Sequence, residues 1–309
     1  MSLTGILTSL RGLRKRAPGA APLPAAPSPP AQVGQFYDAQ HGKFLQVYGE
    51  VIQAFRTKDV TKLLDYQIQS IGLEAGQRVL DAGCGVCGPA MYFSRKAGVS
   101  VEGLTVSGTQ AEHARRRIRE EGLEGTVSVR QGDYQSLPEL YPAESFDVVY
   151  FLESFGHSDD HDKTIRGAWH VLKPGGILYI KDLFKKDAAL AEHEGKIQEE
   201  IGKINRAYHY NIPDLYRFLA FVRKRGFILL SLKTIDLALE DFENLTVSND
   251  FQELTGIGKI QNWAEYIFPV DFFEVKAMKP VHDIRQGNSR YFLQNLYHLK
   301  VLQTRPENL

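Results

Sequence analysis

The sequence predicts an α/β fold built on a doubly wound, mostly parallel, seven-stranded sheet. From residue 78 onward, short apolar runs alternate with segments of helical period, and the first run ends in a glycine cluster. Strand–helix alternation at this spacing calls for parallel strands with helices on both faces. With 309 residues, the chain can also bury a full-sized core.

Residues 1–35 stand apart. Arg11, Arg14, Lys15 and Arg16 precede an Ala/Pro run from Ala17 to Pro30, and no acid appears before Asp38. Such a composition cannot close a core, so it reads as a disordered arm; its acid-poor, Arg-containing start also fits an organelle transit segment. Over residues 36–75, Phe44, Val47, Val51, Ile52 and Phe55, then Leu63, Leu64, Ile68 and Ile71, recur at helical spacing. They predict a helical cap.

The core is expected over residues 76–309. Arg78 to Asp81, Ser100 to Thr105, Val127 to Gln131, Phe146 to Phe151 and Ile177 to Asp182 read as strands. Helices fall at Pro89 to Ala97, Gln110 to Glu121 and Thr164 to Leu172. After Asp182 the rhythm breaks. Helical patterns at Ala188 to Ala207 and Pro213 to Lys224 form one inserted lid segment, 186–225, and the aromatic-rich stretch 240–285 reads as a second. Ile228 to Ile235 and Tyr291 to Val301 are expected to close the sheet.

Lysine plus arginine and aspartate plus glutamate each number 37, so no global field draws the protein to nucleic acid or anionic lipid. No apolar stretch approaches the roughly 18 residues of a membrane span. Two cysteines are too few for a disulfide framework, and a cytoplasmic location is the expectation. The expected partner is a small molecule, with a homo-oligomer left open.

The informative stretch is Asp81-Ala82-Gly83-Cys84-Gly85-Val86-Cys87-Gly88, directly after the first strand and opening a helix. Ligands of open α/β sheets bind at the carboxyl ends of the strands, where a glycine turn lets backbone approach closely. G-x-G-x-x-G alone is ambiguous with a dinucleotide site. Asp81, two residues before the first glycine, favours another ligand, because a carboxylate there repels a pyrophosphate but accepts hydrogen bonds from an ammonium. Cys84 and Cys87 read as small residues filling the turn. His157, His161 and the nearby Asp159, Asp160 and Asp162 read as solvated loop residues, with a metal cluster as the alternative.

These residues resemble the class I S-adenosylmethionine-dependent methyltransferases, a Rossmann-like family. The match continues in order through Gly103-Leu104-Thr105-Val106-Ser107 with Gln110, then Gln131-Gly132-Asp133-Tyr134, then Leu172-Lys173-Pro174-Gly175-Gly176. The resemblance implies S-adenosylmethionine as cofactor, held by Tyr37, Asp81, Gly83, Gly85, Thr105, Gln110, Asp133 and Tyr134. Thr105 stands where many members carry an acid, as in the subgroup containing cyclopropane-forming, sterol and prenyl-diphosphate C-methyltransferases.

Glu153-Ser154-Phe155-Gly156-His157, after the fourth strand, resembles tocopherol and sterol methyltransferases and nominates Glu153 as general base. His157 is either a base for a hydroxyl or amine or a partner of Glu153. The run Ile204 to Ile212 resembles the lid of geranyl diphosphate C-methyltransferases, which nominates Tyr208 as catalytic and Arg206, Tyr216 and Arg217 as acceptor-binding. Tyr48 and Gln53 join that set, Gln53 standing where the group has His. Carbon methylation leaves a carbocation that aromatic faces stabilise by about 1–2 kcal/mol each, and Tyr37, Tyr48, Tyr208 and Phe218 are candidates. Lys203, Arg206, Arg217 and Arg290 would meet a diphosphate, with Mg2+ as a second cofactor; no protein metal site is assigned. The expected activity is therefore carbon methylation of a prenyl diphosphate, with oxygen or nitrogen methylation of a lipid-like natural product as the alternative.

Overall fold

In the computed structural model, which describes residues 27–235, 237, 244–262, 264 and 266–281, the first strand lies near the centre of the sheet. Strand β1 (Arg78–Ala82) pairs in parallel with β2 (Ser100–Thr105) on one side and β4 (Phe146–Leu152) on the other. β3 (Val127–Gln131) adds to β2, and β5 (Leu172–Lys185) adds to β4. β6 (Ile228–Thr234) is the far edge, and β7 (Val270–Met278) runs antiparallel between β5 and β6, giving the order 3-2-1-4-5-7-6. Parallel strands covered on both faces should read as continuous apolar runs. In β1, Val79, Leu80 and Ala82 are fully buried, and sealing a side chain the size of Val or Leu contributes about 1.5–3 kcal/mol.

The helices are α1 (Pro30–Tyr48), α2 (Val60–Ile71), α3 (Gly88–Ala97), α4 (Gly108–Glu120), α5 (Leu137–Leu140), α6 (His161–Val171), α7 (His193–Tyr208), α8 (Leu215–Arg225) and α9 (Asn244–Thr255). Leu64 and Ile71 of α2, Met91 and Phe93 of α3 and Ala114 and Ile118 of α4 fill one face. Leu137, Ile165, Ala168, Phe218 and Val222 of α5, α6 and α8 fill the other. α1, α7 and α9 meet separately, through Phe44, Tyr48, Tyr208 and Phe251.

Three expectations change. Helix α1 starts at Pro30, inside the segment assigned to the arm, because a proline at the first helical position is pre-set for helix. The cap is also two helices. Gly49 (φ 62°) ends α1, and Asp59 caps α2 by accepting from Thr61 N, so Val51–Thr57 form a strap between them. The strap's apolar residues mimicked a helical stripe because they too face inward, Val51 into the core and Phe55 against Phe272.

β7 lies within the stretch read as a lid. Its alternation is masked by Glu274, a buried acid that accepts from Tyr66 (2.6 Å), Ser70 (3.0 Å) and Tyr179 and pairs with Lys233 at 3.0 Å. The strand expected at Tyr291 to Val301 lies outside the described residues.

Candidate active site

The turn after β1 is shaped by what it cannot hold. Gly83 has φ 95°, a left-handed value, and a Cβ there would sit 2.4 Å from Cβ of Ser154. Gly85 is also left-handed, at φ 53°. Asp81 is buried, receives the Tyr150 hydroxyl at 3.0 Å, and is pushed up to about pKa 7 by loss of solvent. Cys84 and Cys87 are free, buried thiols packed against Gly103, where an added Cβ would lie 2.8 Å from Sγ of Cys84 and 2.7 Å from Sγ of Cys87.

β2 delivers the second wall. The Thr105 hydroxyl donates to Gln110 Oε1 at 3.1 Å, and Ser107 caps α4 by accepting from Gln110 N at 3.0 Å. Gln110 Nε2 is buried and has no partner among the described residues. After β3, Asp133 accepts from Gln135 N, and the Tyr134 hydroxyl donates to the Ser154 carbonyl at 2.7 Å. Tyr37, Asp81, Gly83, Gly85, Thr105, Gln110, Asp133 and Tyr134 all line one cleft of about 830 Å3. These residues fit S-adenosylmethionine: a buried carboxylate for its ammonium, glycines where backbone must approach, and an unpaired amide donor.

A second cavity, about 1120 Å3, opens beside the first and shares Tyr37, Ile52, Glu153 and His157 with it. Apart from Gln252, the rest of its wall is apolar and aromatic, including Phe44, Tyr48, Tyr208, Tyr210, Tyr266 and Phe272. Among the described residues lining it there is no lysine or arginine.

His157 sits where the cavities join. Its Nδ1 faces the His209 carbonyl at 3.1 Å; a carbonyl only accepts, so Nδ1 carries the proton and Nε2 keeps its lone pair. The Tyr37 hydroxyl donates to that Nε2 at 2.8 Å. Burial lowers the ring to about pKa 4, so it is neutral at pH 7.

Glu153 has φ 56°, a strained value for a side-chain-bearing residue. Its carboxylate accepts from Ala54 N (2.6 Å) and Phe55 N (3.2 Å) and is ion-paired with Lys181 of β5. Lys181 also donates to Gln53 Oε1 at 2.6 Å and the Phe55 carbonyl at 2.8 Å. Asp182 is buried, raised to about pKa 7 by desolvation, and holds Tyr210 at 2.8 Å and Gly156 N at 3.1 Å.

Sequence reasoning overlooked Lys181, Asp182 and Tyr210. A visible signal existed: Lys181-Asp182 interrupts the apolar run from Ile177 to Phe184 in β5, and charged residues there need a reason.

The structure corrects part of the acceptor set. Arg206, Tyr216 and Arg217 are exposed and line neither cavity; the Tyr216 hydroxyl binds Asp187 at 2.9 Å and Arg217 covers Phe221. Lys203 pairs with Glu199 and Glu200 on the surface, and Phe218 is core. These residues point away because α7 and α8 turn only their apolar stripes inward. Arg290 lies outside the described residues.

Tyr48 and Tyr208 do line the aromatic cavity, whereas Gln53 lines the cofactor cleft. Asp160 caps α6, Asp162 pairs with Arg225, and His161 stacks on Phe155. Among the described residues no three His, Cys, Asp or Glu gather as a metal cluster.

The fold and this cleft are those of the class I S-adenosylmethionine-dependent methyltransferases. The chain is similar in sequence to sterol 24-C-methyltransferases and natural-product methyltransferases, and it shares the fold of geranyl diphosphate C-methyltransferases. Residues 80–180 match the family model of the methyltransferase domain.

The chain is 35% identical over 178 residues to methyltransferase GfsG of Streptomyces halstedii, covering 56% of this chain and 61% of that protein. It is 34% identical over 183 residues to 27-O-demethylrifamycin SV methyltransferase of Amycolatopsis mediterranei, covering 56% and 66%. The matches thus span less than two thirds of either relative. The structure of the [4+2]-cyclase SpnF superposes with TM-score 0.66 at 26% identity, over 84% of this chain and 99% of that one. Among the described residues, no helix is long and apolar enough to cross a membrane.

Proposed function

We propose that this protein transfers a methyl group from S-adenosylmethionine to an uncharged, lipophilic small molecule at a hydroxyl oxygen, with His157 as the base. One observation carries the reading: a neutral imidazole with a directed lone pair stands where the cofactor cleft opens into an aromatic cavity that has no lysine or arginine among its described lining residues. Bound S-adenosylmethionine supplies an activated methyl, so the protein needs to align the nucleophile and remove one proton. Nε2 of His157 takes the hydroxyl proton as the oxygen attacks, and Tyr37 yields its hydrogen-bonding position to the acceptor. The rifamycin relative, a methyltransferase named for 27-O-demethylrifamycin SV, is consistent with such an acceptor.

Carbon methylation of an alkene, with Glu153 as base, is the second reading. The ring of tyrosines and phenylalanines around the cavity supports it, since aromatic faces stabilise a carbocation by about 1–2 kcal/mol each. Geranyl diphosphate C-methyltransferase of Streptomyces coelicolor, solved with Mg2+ and its diphosphate, shares the fold at 16% identity. Both oxygens of Glu153 already accept hydrogen bonds, however, and the described wall has no cation for a diphosphate.

The test is incubation with labelled S-adenosylmethionine and a panel of neutral lipophilic alcohols, phenols and prenyl diphosphates, with and without magnesium. Transfer to a neutral hydroxyl without magnesium is expected. Turnover restricted to a diphosphate and dependent on magnesium would overturn it in favour of the second reading.

A further inference from the structure

We infer that Gln53 is a cofactor-positioning residue: its side-chain amide donates to the carboxylate of the methionine part of S-adenosylmethionine. This rests on the cofactor reading above.

The orientation of the Gln53 amide is forced by chemistry. Lys181 Nζ can only donate, and it lies 2.6 Å from the Gln53 oxygen, which also accepts from Gln67 Nε2 at 2.7 Å. The oxygen is therefore saturated and turned to the interior. The NH2 end is what remains. Among the described residues it has no partner, in a residue only 2% exposed that lines the cofactor cleft but not the aromatic cavity.

A buried donor with no acceptor is a cost that a ligand oxygen would relieve. The ammonium on the far side of the amide polarises it and makes the NH2 a stronger donor, which selects an anionic acceptor. The methionine carboxylate is the one anionic group of the cofactor. Gln110 offers a second unpaired amide nitrogen to the same cleft, 3.9 Å from where a Cβ on Gly85 would stand. The Gln53 side chain thus ties the cofactor to Lys181, and through it to Glu153 at the cavity junction.

The experiment is calorimetry of S-adenosylmethionine and of decarboxylated S-adenosylmethionine against wild type, Gln53→Glu and Gln53→Met. The Glu variant keeps an oxygen for Lys181 and Gln67 but has no N–H to give, so it preserves the interior network. Loss of about 10- to 100-fold in affinity for the intact cofactor is expected, the range for a hydrogen bond to a charged group. The decarboxylated form should bind both variants as tightly as wild type, or more tightly.

Equal losses for both ligands, or no loss in either variant, overturn the assignment. Wild-type protein should itself prefer the intact cofactor by tenfold or more, and equal wild-type affinities overturn the assignment even if neither variant folds. No heat from wild type with either ligand overturns the cofactor reading beneath it as well.

Discussion

The Tyr37 hydroxyl, on the first helix, donates to Nε2 of His157 at 2.8 Å, across 120 residues of sequence. That bond occupies the only lone pair the imidazole has, at the point where both cavities meet. His157→Gln should lower kcat by about 10^2- to 10^4-fold, the range for a positioned general base. Cofactor affinity, read by calorimetry, should change little. A proportional loss of both would make His157 a binding residue.

Burial sets the pH behaviour of the same ring. Its pKa in the fold is about 4, below the ordinary 6.5, so it stays an acceptor well into the acid range. At saturating cofactor, the rate should show no protonation step near pH 6.5. The depressed value also means that its contribution to stability is complete above 6.5 and is lost as pH falls toward 4. Urea midpoints should decline across that window, and His157→Gln should flatten the decline.

Asp81 titrates in the opposite sense. Desolvation raises it to about 7, and only its ionised form receives an ammonium. Cofactor affinity should therefore weaken by about tenfold for each pH unit below 7. Asp81→Asn should bind weakly at every pH, with that slope gone. Titrations at pH 6, 7 and 8 provide the comparison.

The Lys181–Glu153 pair should be costly to break from one side. Both side chains are almost wholly buried, so Lys181→Met leaves an uncompensated carboxylate and should cost about 3–5 kcal/mol in urea unfolding. Adding Glu153→Gln to that variant should recover much of the loss. Full additivity of the two changes would show that they do not interact.

Gly83→Ala combines a left-handed backbone with a clash against Ser154. It should abolish cofactor binding and lower the melting temperature. Gly122, also left-handed at φ 64° but with nothing within 4 Å of an added Cβ, is the control: Gly122→Ala should keep cofactor affinity.

Much of this architecture was legible in the linear chain because local chemistry carries it. Strands β1 to β6 follow apolar runs, and the cofactor cleft follows a glycine turn preceded by an acid. Each signal lies within a few residues of the group it positions. Misreadings fell where a local pattern had two physical causes. The strap 51–57 copied a helical stripe, and β7 was hidden because Glu274 occupies an inward position.

The sequence by itself determined the doubly wound sheet, the cleft residues from Asp81 to Tyr134 and the placing of Glu153 and His157 after β4. Tertiary structure alone decided what those two side chains can do. Glu153 meets a lysine 28 residues away and a strap 98 residues away, and His157 meets a carbonyl 52 residues away. It also decided which residues face the acceptor, turning Arg206 and Arg217 to water while Tyr48 and Tyr208 face inward. The physical reason is range: turn chemistry and strand burial act between sequence neighbours, whereas the charge, tautomer and exposure of a side chain depend on whichever distant segment folds against it.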